Sequence, residues 1–233
     1  MAFVTRYADD PSRPSPRGAL RDLAVRTVAP AVVLFAAVVV VGKVIEGPLR
    51  NLGAHEESFN ATLASHRTAL WNTITTVWSH IGNTEYVIGA CVVVVALVWW
   101  RTKEWWYAVI PAIAVTVQAA VFVPATALVN RPRPHVPHLD PAPPTSSYPS
   151  GHVGASTALY WTLALMAQRI ENRALRVVVT LVCAVIPPLV AYSRLYRGMH
   201  HLSDVIVGFL NGLVCLLLAW HYLRRRAGRH TLV

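Results

Sequence analysis

Apolar and polar residues fall into long blocks along the chain rather than a short alternation. Six blocks are mostly apolar and approach or reach the ~20 residues that carry a helix across a bilayer. They cover residues 27–46, 84–100, 105–130, 152–168, 177–193 and 204–223. The fourth and fifth are the shortest, and the fifth holds Pro187 and Pro188. Proline is tolerated in such a helix when neighbouring groups satisfy the carbonyls it frees. The pattern predicts an all-α bundle of six transmembrane helices, one domain over 27–223, flanked by basic tails at 1–26 and 224–233. The first tail is polar, with Pro11, Pro14 and Pro16, and no apolar core there ends at a small-residue cleavage site. It reads as a disordered cytoplasmic tail rather than a signal peptide.

Composition agrees with a membrane protein: 55% of residues are hydrophobic, only 14% are charged, and mean hydropathy is +0.44. The net charge of +10 changes the picture only through its distribution. Arg6, Arg13, Arg17, Arg21 and Arg26 precede the first block, and Arg101 and Lys103 follow the second. Arg169, Arg173 and Arg176 lie between the fourth and fifth, and Arg224, Arg225, Arg226 and Arg229 follow the sixth. Six spans place these fourteen of the 21 basic residues on one side, which the positive-inside rule makes cytoplasmic, with both termini there. Basic residues scattered in short loops form no continuous face for nucleic acid.

The opposite side receives residues 47–83, 131–151 and 194–203. Spaced apolar positions from Leu63 to Ile81 predict one or two helices lying on the membrane or packed against the bundle. The second connection holds Pro132, Pro134, Pro137, Pro141, Pro143, Pro144 and Pro149, so it is a stiff loop and not a helix. Cys91, Cys183 and Cys215 sit inside apolar blocks and read as buried, reduced side chains. Trp99, Trp100, Trp105 and Trp106 mark a membrane boundary. Gly208 and Gly212 allow close helix approach, either inside the bundle or at the seam of a homodimer.

The outer side also collects the unusual polar residues: Arg131 and Arg133 in RPRP, Ser150, Gly151 and His152 in PSGH, and Ser193, Arg194, Arg197, His200 and Asp204 in SRLYRGMHHLSD. Guanidinium groups bind phosphate oxygens through paired N–H groups. Ser150 and Gly151 precede a predicted helix whose free N–H groups favour an anion, and glycine lets that anion approach the backbone. His200 and Asp204 are spaced to share a helix face, where a carboxylate fixes the tautomer of an attacking imidazole. His152 is placed to protonate a leaving oxygen and then activate water. His135 and His138 lie in a proline-broken loop that gives no metal-binding context.

These motifs resemble the type 2 phosphatidic acid phosphatase superfamily, which shares its helical core with vanadium haloperoxidases and bacterial acid phosphatases. The family pattern is a lysine, six residues and RP; then PSGH; then SR, five residues, H, three residues and D. Arg133-Pro134, Pro149 to His152, Ser193-Arg194, His200 and Asp204 match it, within a resemblance covering about residues 85–220. The resemblance implies a phosphohistidine at His200, oriented by Asp204, with His152 as acid and then base. It implies that Arg133, Ser150, Gly151 and Arg194 hold the phosphate, with no metal and no cofactor. The family lysine falls at Thr126, which carries no charge, so Arg131 or Arg197 is an auxiliary candidate for the missing cation.

The expected activity is hydrolysis of a membrane lipid phosphate or diphosphate at the extracytoplasmic face. Polyprenyl diphosphate, phosphatidic acid and phosphatidylglycerophosphate are candidate substrates. A lipid phosphotransferase and a weakly active lipid-binding relative are the alternatives.

Overall fold

The computed structural model describes residues 3–142 and 144–225, and every regular element in them is helical. In chain order these are α1 (Arg6–Asp9), α2 (Pro16–Leu23), α3 (Ala29–Glu46), α4 (Arg50–Ser65), α5 (Ala69–Ile81) and α6 (Thr84–Thr102). They continue with α7 (Trp105–Ala108), α8 (Ile110–Val129), α9 (Gly151–Ser156), α10 (Thr162–Met166), α11 (Arg173–Tyr196) and α12 (Leu202–Trp220). Among the described residues, five helical stretches are long and apolar enough to cross a membrane: Pro16–Glu46, Thr84–Thr102, Trp105–Val129, Arg173–Tyr196 and Leu202–Trp220.

The block predicted at 152–168 is built differently. Its helix is divided into α9, a π-helical turn at Thr157–Trp161, α10 and a 3-10 turn at Ala167–Arg169. Ser156, Thr157 and Thr162 are fully buried there, and each turns its hydroxyl onto a carbonyl three or four residues back. The five long helices therefore do not include it, and the count of six depends on this divided rod.

The helix α12 is the centre of the bundle: half of its apolar window is buried, against 11% for α6. It packs on α3, α8 and α9. A Cβ on Gly208 would lie 2.7 Å from the Ser150 carbonyl oxygen, and one on Gly212 2.5 Å from that of Gly154. Both glycines are thus used for close approach of α12 to α9 within one chain, and the homodimer reading loses its motif. In α11, Pro188 has no N–H for the Ala184 carbonyl, and the indole of Trp161 donates to that oxygen at 3.1 Å. The fifth block accordingly forms one unbroken helix, longer at both ends than its apolar core. The three cysteines are free and buried.

The N-terminal segment departs from the expected disorder. Ser15 caps α2, with Pro16 in its first turn, and α2 continues through a π-helical turn into α3. Tyr7 and Ala19 are buried with Trp106, Tyr107 and Trp220. Arg6 donates to the Leu223 carbonyl and Arg26 to that of His221, so basic side chains satisfy carbonyls at the end of α12. Proline and arginine suggested an unfolded tail, but aromatic burial and these hydrogen bonds organise it. The expected C-terminal tail lies outside the described residues beyond Arg225.

At the other end of α12, the connection 47–83 forms α4 and α5. The α4 helix docks through polar groups: Asn60 Nδ2 donates to the His200 carbonyl at 3.1 Å, and Glu56 accepts from the Ser203 N–H and from Arg131. The α5 helix packs along α11. The proline-rich loop is anchored by Tyr148, whose hydroxyl donates to the Val38 carbonyl, and by the Ser150 N–H bond to the Asp204 carbonyl.

Candidate active site

The three sequence motifs converge. Arg133 from the proline loop, Gly151 and His152 from the start of α9, Arg194 from the end of α11 and His200 from the α11–α12 turn all line one cavity of about 470 Å³. Ser79, His80 and Asn83 contribute from α5 and the start of α6. The cavity continues between α6 and α8 along Val87, Ile88, Val115, Ala119 and Val123. Ile88 and Val123 are more than half exposed, so this apolar arm reaches the outer surface of the bundle.

His200 sits in the tight turn 197–201 and is 4% exposed. Its Nδ1 lies 2.6 Å from the Ser147 carbonyl oxygen, which only accepts, so Nδ1 carries the proton and Nε2 is the basic nitrogen. Burial, reinforced by Arg194 and partly opposed by Asp204, holds the His200 pKa well below the ordinary imidazole value. The ring is therefore neutral at pH 7 and able to attack.

Asp204 does not bond to His200 as its spacing suggested. Its Oδ2 is 3.9 Å from His200 Nδ1 and instead accepts the His201 N–H at 2.8 Å, while Oδ1 pairs with Arg131 at 2.6 Å. The carboxylate caps α12, and the Ser147 carbonyl takes the tautomer-fixing role expected of it. His201 bridges Asp204 and Glu57 at 3.3 and 3.2 Å. Burial pulls its pKa down, but these two carboxylates outweigh that and raise it.

Neither auxiliary arginine faces the cavity. Arg131 is enclosed by Glu46, Glu56 and Asp204 at 3.1, 2.7 and 2.6 Å. Arg197 grips Asp140 and the carbonyls of Asn72 and Leu139. Thr126 lies on α8 away from the cavity lining and bonds the Val123 carbonyl within its own helix. None of the three replaces the family lysine as a cation beside His200.

The two cavity arginines are each held by one end. Arg133 Nη1 donates to the Met199 carbonyl at 2.7 Å, and Arg194 Nη1 donates to Ser79 Oγ at 2.6 Å and Asp140 Oδ2 at 2.7 Å. Among the described residues the Nε groups of both arginines and Ser150 Oγ are buried with no protein partner. Arg133 and Arg194 line the cavity, where a tetrahedral oxyanion can accept from them, whereas Ser150 is fully buried and is not among the lining residues. A Cβ on Gly151 would fall 2.5 Å from the Phe122 ring, so packing against that ring requires glycine there.

Sequence reasoning missed Ser79, Asn83 and Asp140. Burial opposes the charge of Asp140, but the hydrogen bond from Arg197 and the nearby Arg194 overcome it and keep its pKa below the usual carboxylate value. Nothing in the loop sequence distinguished this aspartate from a solvated one. His135 and His138 engage Glu57 and the Pro134 carbonyl outside the cavity.

The fold is similar to the crystal structure of the first transmembrane PAP2 type phosphatidylglycerolphosphate phosphatase from Bacillus subtilis. The TM-score is 0.71 at 22% identity, over 81% of this chain and 93% of that one. It is also similar to LpxE of Aquifex aeolicus, with a TM-score of 0.56 at 19% identity, over 70% of this chain and 92% of that one. Among curated proteins no significant sequence match is found. The sequence profile of the PAP2 superfamily matches residues 103–227, more than half of the chain, across all three motifs that meet at the cavity: this multi-pass membrane protein belongs to the PAP2 superfamily.

Proposed function

We propose that this protein is a metal-independent lipid phosphatase that releases phosphate from a membrane lipid phosphomonoester or diphosphate through a phosphohistidine at His200. The observation that carries the reading is the shared cavity: a neutral, buried imidazole, a second imidazole and two half-satisfied guanidinium groups surround one space. Its apolar arm between α6 and α8 suits an acyl or prenyl chain.

His200 Nε2 attacks phosphorus, and the bond from phosphorus to the lipid oxygen breaks as His152 gives that oxygen a proton. Water then attacks the phosphohistidine, His152 takes its proton, and orthophosphate leaves with His200 restored. Arg133 and Arg194 meet the charge that develops on the phosphoryl oxygens. Asp140 and Arg197 position Arg194 from behind, and Asp204 acts on His200 through its field and through the capped start of α12. The positive-inside distribution supports an extracytoplasmic position for the cavity.

The test is phosphate release by purified protein in lipid nanodiscs, with phosphatidic acid, phosphatidylglycerophosphate and a polyprenyl diphosphate as substrates. Wild type is expected to turn over at least one of them with a chelator present, and His200→Ala to lose at least about a thousandfold while remaining folded. Turnover retained by His200→Ala would overturn the mechanism. Label transfer to an added alcohol instead of water would make the protein a phosphotransferase, and binding without turnover would make it a lipid-binding protein.

A further inference from the structure

Asn83 stands at the N-cap of α6. An asparagine there ordinarily turns its side chain onto a free N–H of the first helical turn, worth about 1 kcal/mol. Asn83 makes no such bond. Its Oδ1 instead lies 2.7 Å from Nε2 of His152, across 69 residues of sequence. A helix cap that gives up its own helix to grip a cavity histidine points to a role in the site.

The turn carrying it is held against the site at two further places. Ser79, at the end of α5, donates to Asp140 and accepts from Arg194. Gly82 packs so closely that a Cβ would fall 2.7 Å from Val190 Cγ1 and 3.3 Å from His152 Cβ. The α5–α6 turn is thus a fourth segment of the site, outside the three motifs.

We propose that Asn83 is the positioning residue of His152: its amide oxygen keeps the proton on Nε2 and leaves Nδ1 as the nitrogen that gives and takes a proton during turnover. This rests on the phosphatase reading and extends it. Burial and then Arg194 lower the His152 pKa to about 3, so Nδ1 takes up a proton from solvent only as the anionic phosphate binds. The Nε2–H bond persists through both steps, while that Nδ1 proton goes to the leaving oxygen and is regained from the attacking water. A neutral amide orients the ring without trapping the imidazolium as a carboxylate would. The other charged and titratable groups around His152 are Arg194 from α11, Arg133 and Asp140 from the proline loop, His80 from α5 and His200 from the α11–α12 turn.

The experiment compares Asn83→Ala and Asn83→Asp in full-length protein in nanodiscs. Asn83→Ala is expected to lower kcat by about tenfold or more with KM within about twofold. Asn83→Asp keeps an acceptor and a capping side chain, retains more kcat than Asn83→Ala, and moves the His152-dependent limb of the pH profile upward by about one unit. Nitrogen-15 spectra of histidine-labelled protein, assigned with His152→Gln, give a readout independent of turnover. Wild type should show the Nε2–H tautomer at His152 and Asn83→Ala should not. An unchanged tautomer in Asn83→Ala, or a changed tautomer with unchanged kcat and pH profile, overturns the proposal. If His200→Ala stays active, the phosphatase reading fails first, and the tautomer spectra still decide whether Asn83 holds His152.

Discussion

His200 and His201 are neighbours whose protonation is pulled in opposite directions. His200 is buried beside Arg194 with its one proton given to a carbonyl, so its folded pKa lies below that of the unfolded chain. Below about pH 6.5 the unfolded chain takes up a proton that folded His200 refuses, so stability falls as the pH drops, by at most about 1.4 kcal/mol per unit for this group. His201 lies between Asp204 and Glu57, and its folded pKa is raised. Its contribution is complete below about pH 6.5 and is lost as pH rises through the folded value. Thermal melts in detergent from about pH 5 to 9 should therefore show His201→Gln losing less stability than wild type on the alkaline side, with its acid limb retained. An alkaline limb identical to wild type would show that His201 is not held as a cation. The residue types of this site were legible in the sequence, but their partners were not. The i, i+4 spacing put Asp204 near His200, yet His201 between them is extended (ψ 164°) and α12 begins only at Leu202, so the two do not share a helix and the carboxylate faces its own helix start.

Long apolar blocks gave away the membrane helices because bilayer thickness imposes one length on them. The shorter and more polar elements were harder to read. Residues 47–83 form two helices, and α4 docks by buried polar groups that carry no hydropathy signal. The N-terminal helices depend on tertiary contacts with the end of α12, which no local window contains. Glycines separate the elements by tightness of packing. Gly208→Ala would drive a methyl into the Ser150 carbonyl, a backbone atom that cannot rotate away. Moving α12 aside to relieve it also strains the Ser150 N–H bond to the Asp204 carbonyl. We expect a loss of about 1–3 kcal/mol and a matching loss of turnover. Gly89 lies on the exposed face of α6, with open space around its Cβ position, so Gly89→Ala should instead add up to about 1 kcal/mol. Unfolding curves of the two variants in one detergent provide the check, and equal stability would contradict the packing of α12 on α9.

At the scale of the whole molecule, the bundle separates a polar end of the cavity from an apolar arm. The polar end is lined by the end of α5, the proline loop, the start of α9 and the α11–α12 turn, while the arm opens through the α6–α8 surface where Ile88 and Val123 are exposed. On the phosphatase reading, a water-soluble phosphate ester needs only the polar end, whereas a lipid still seated in the bilayer needs the arm for its chain. Tryptophan at Ile88 or Val123 is expected to crowd that arm while leaving Arg133, His152, Arg194 and His200 unchanged. If the lipid reaches the site sideways from the membrane, Ile88→Trp and Val123→Trp should raise KM for a long-chain lipid phosphate by about tenfold, the effect of roughly 1.4 kcal/mol of lost binding. They should leave kcat/KM for a short-chain soluble ester within about twofold. Equal losses on both substrates would mean that the substitutions disturb the site itself, and no loss on either would place the lipid chain elsewhere. The comparison separates the proposed chemistry at His200 from the proposed recognition of a membrane-embedded substrate, because that reading puts the two tasks at opposite ends of one cavity.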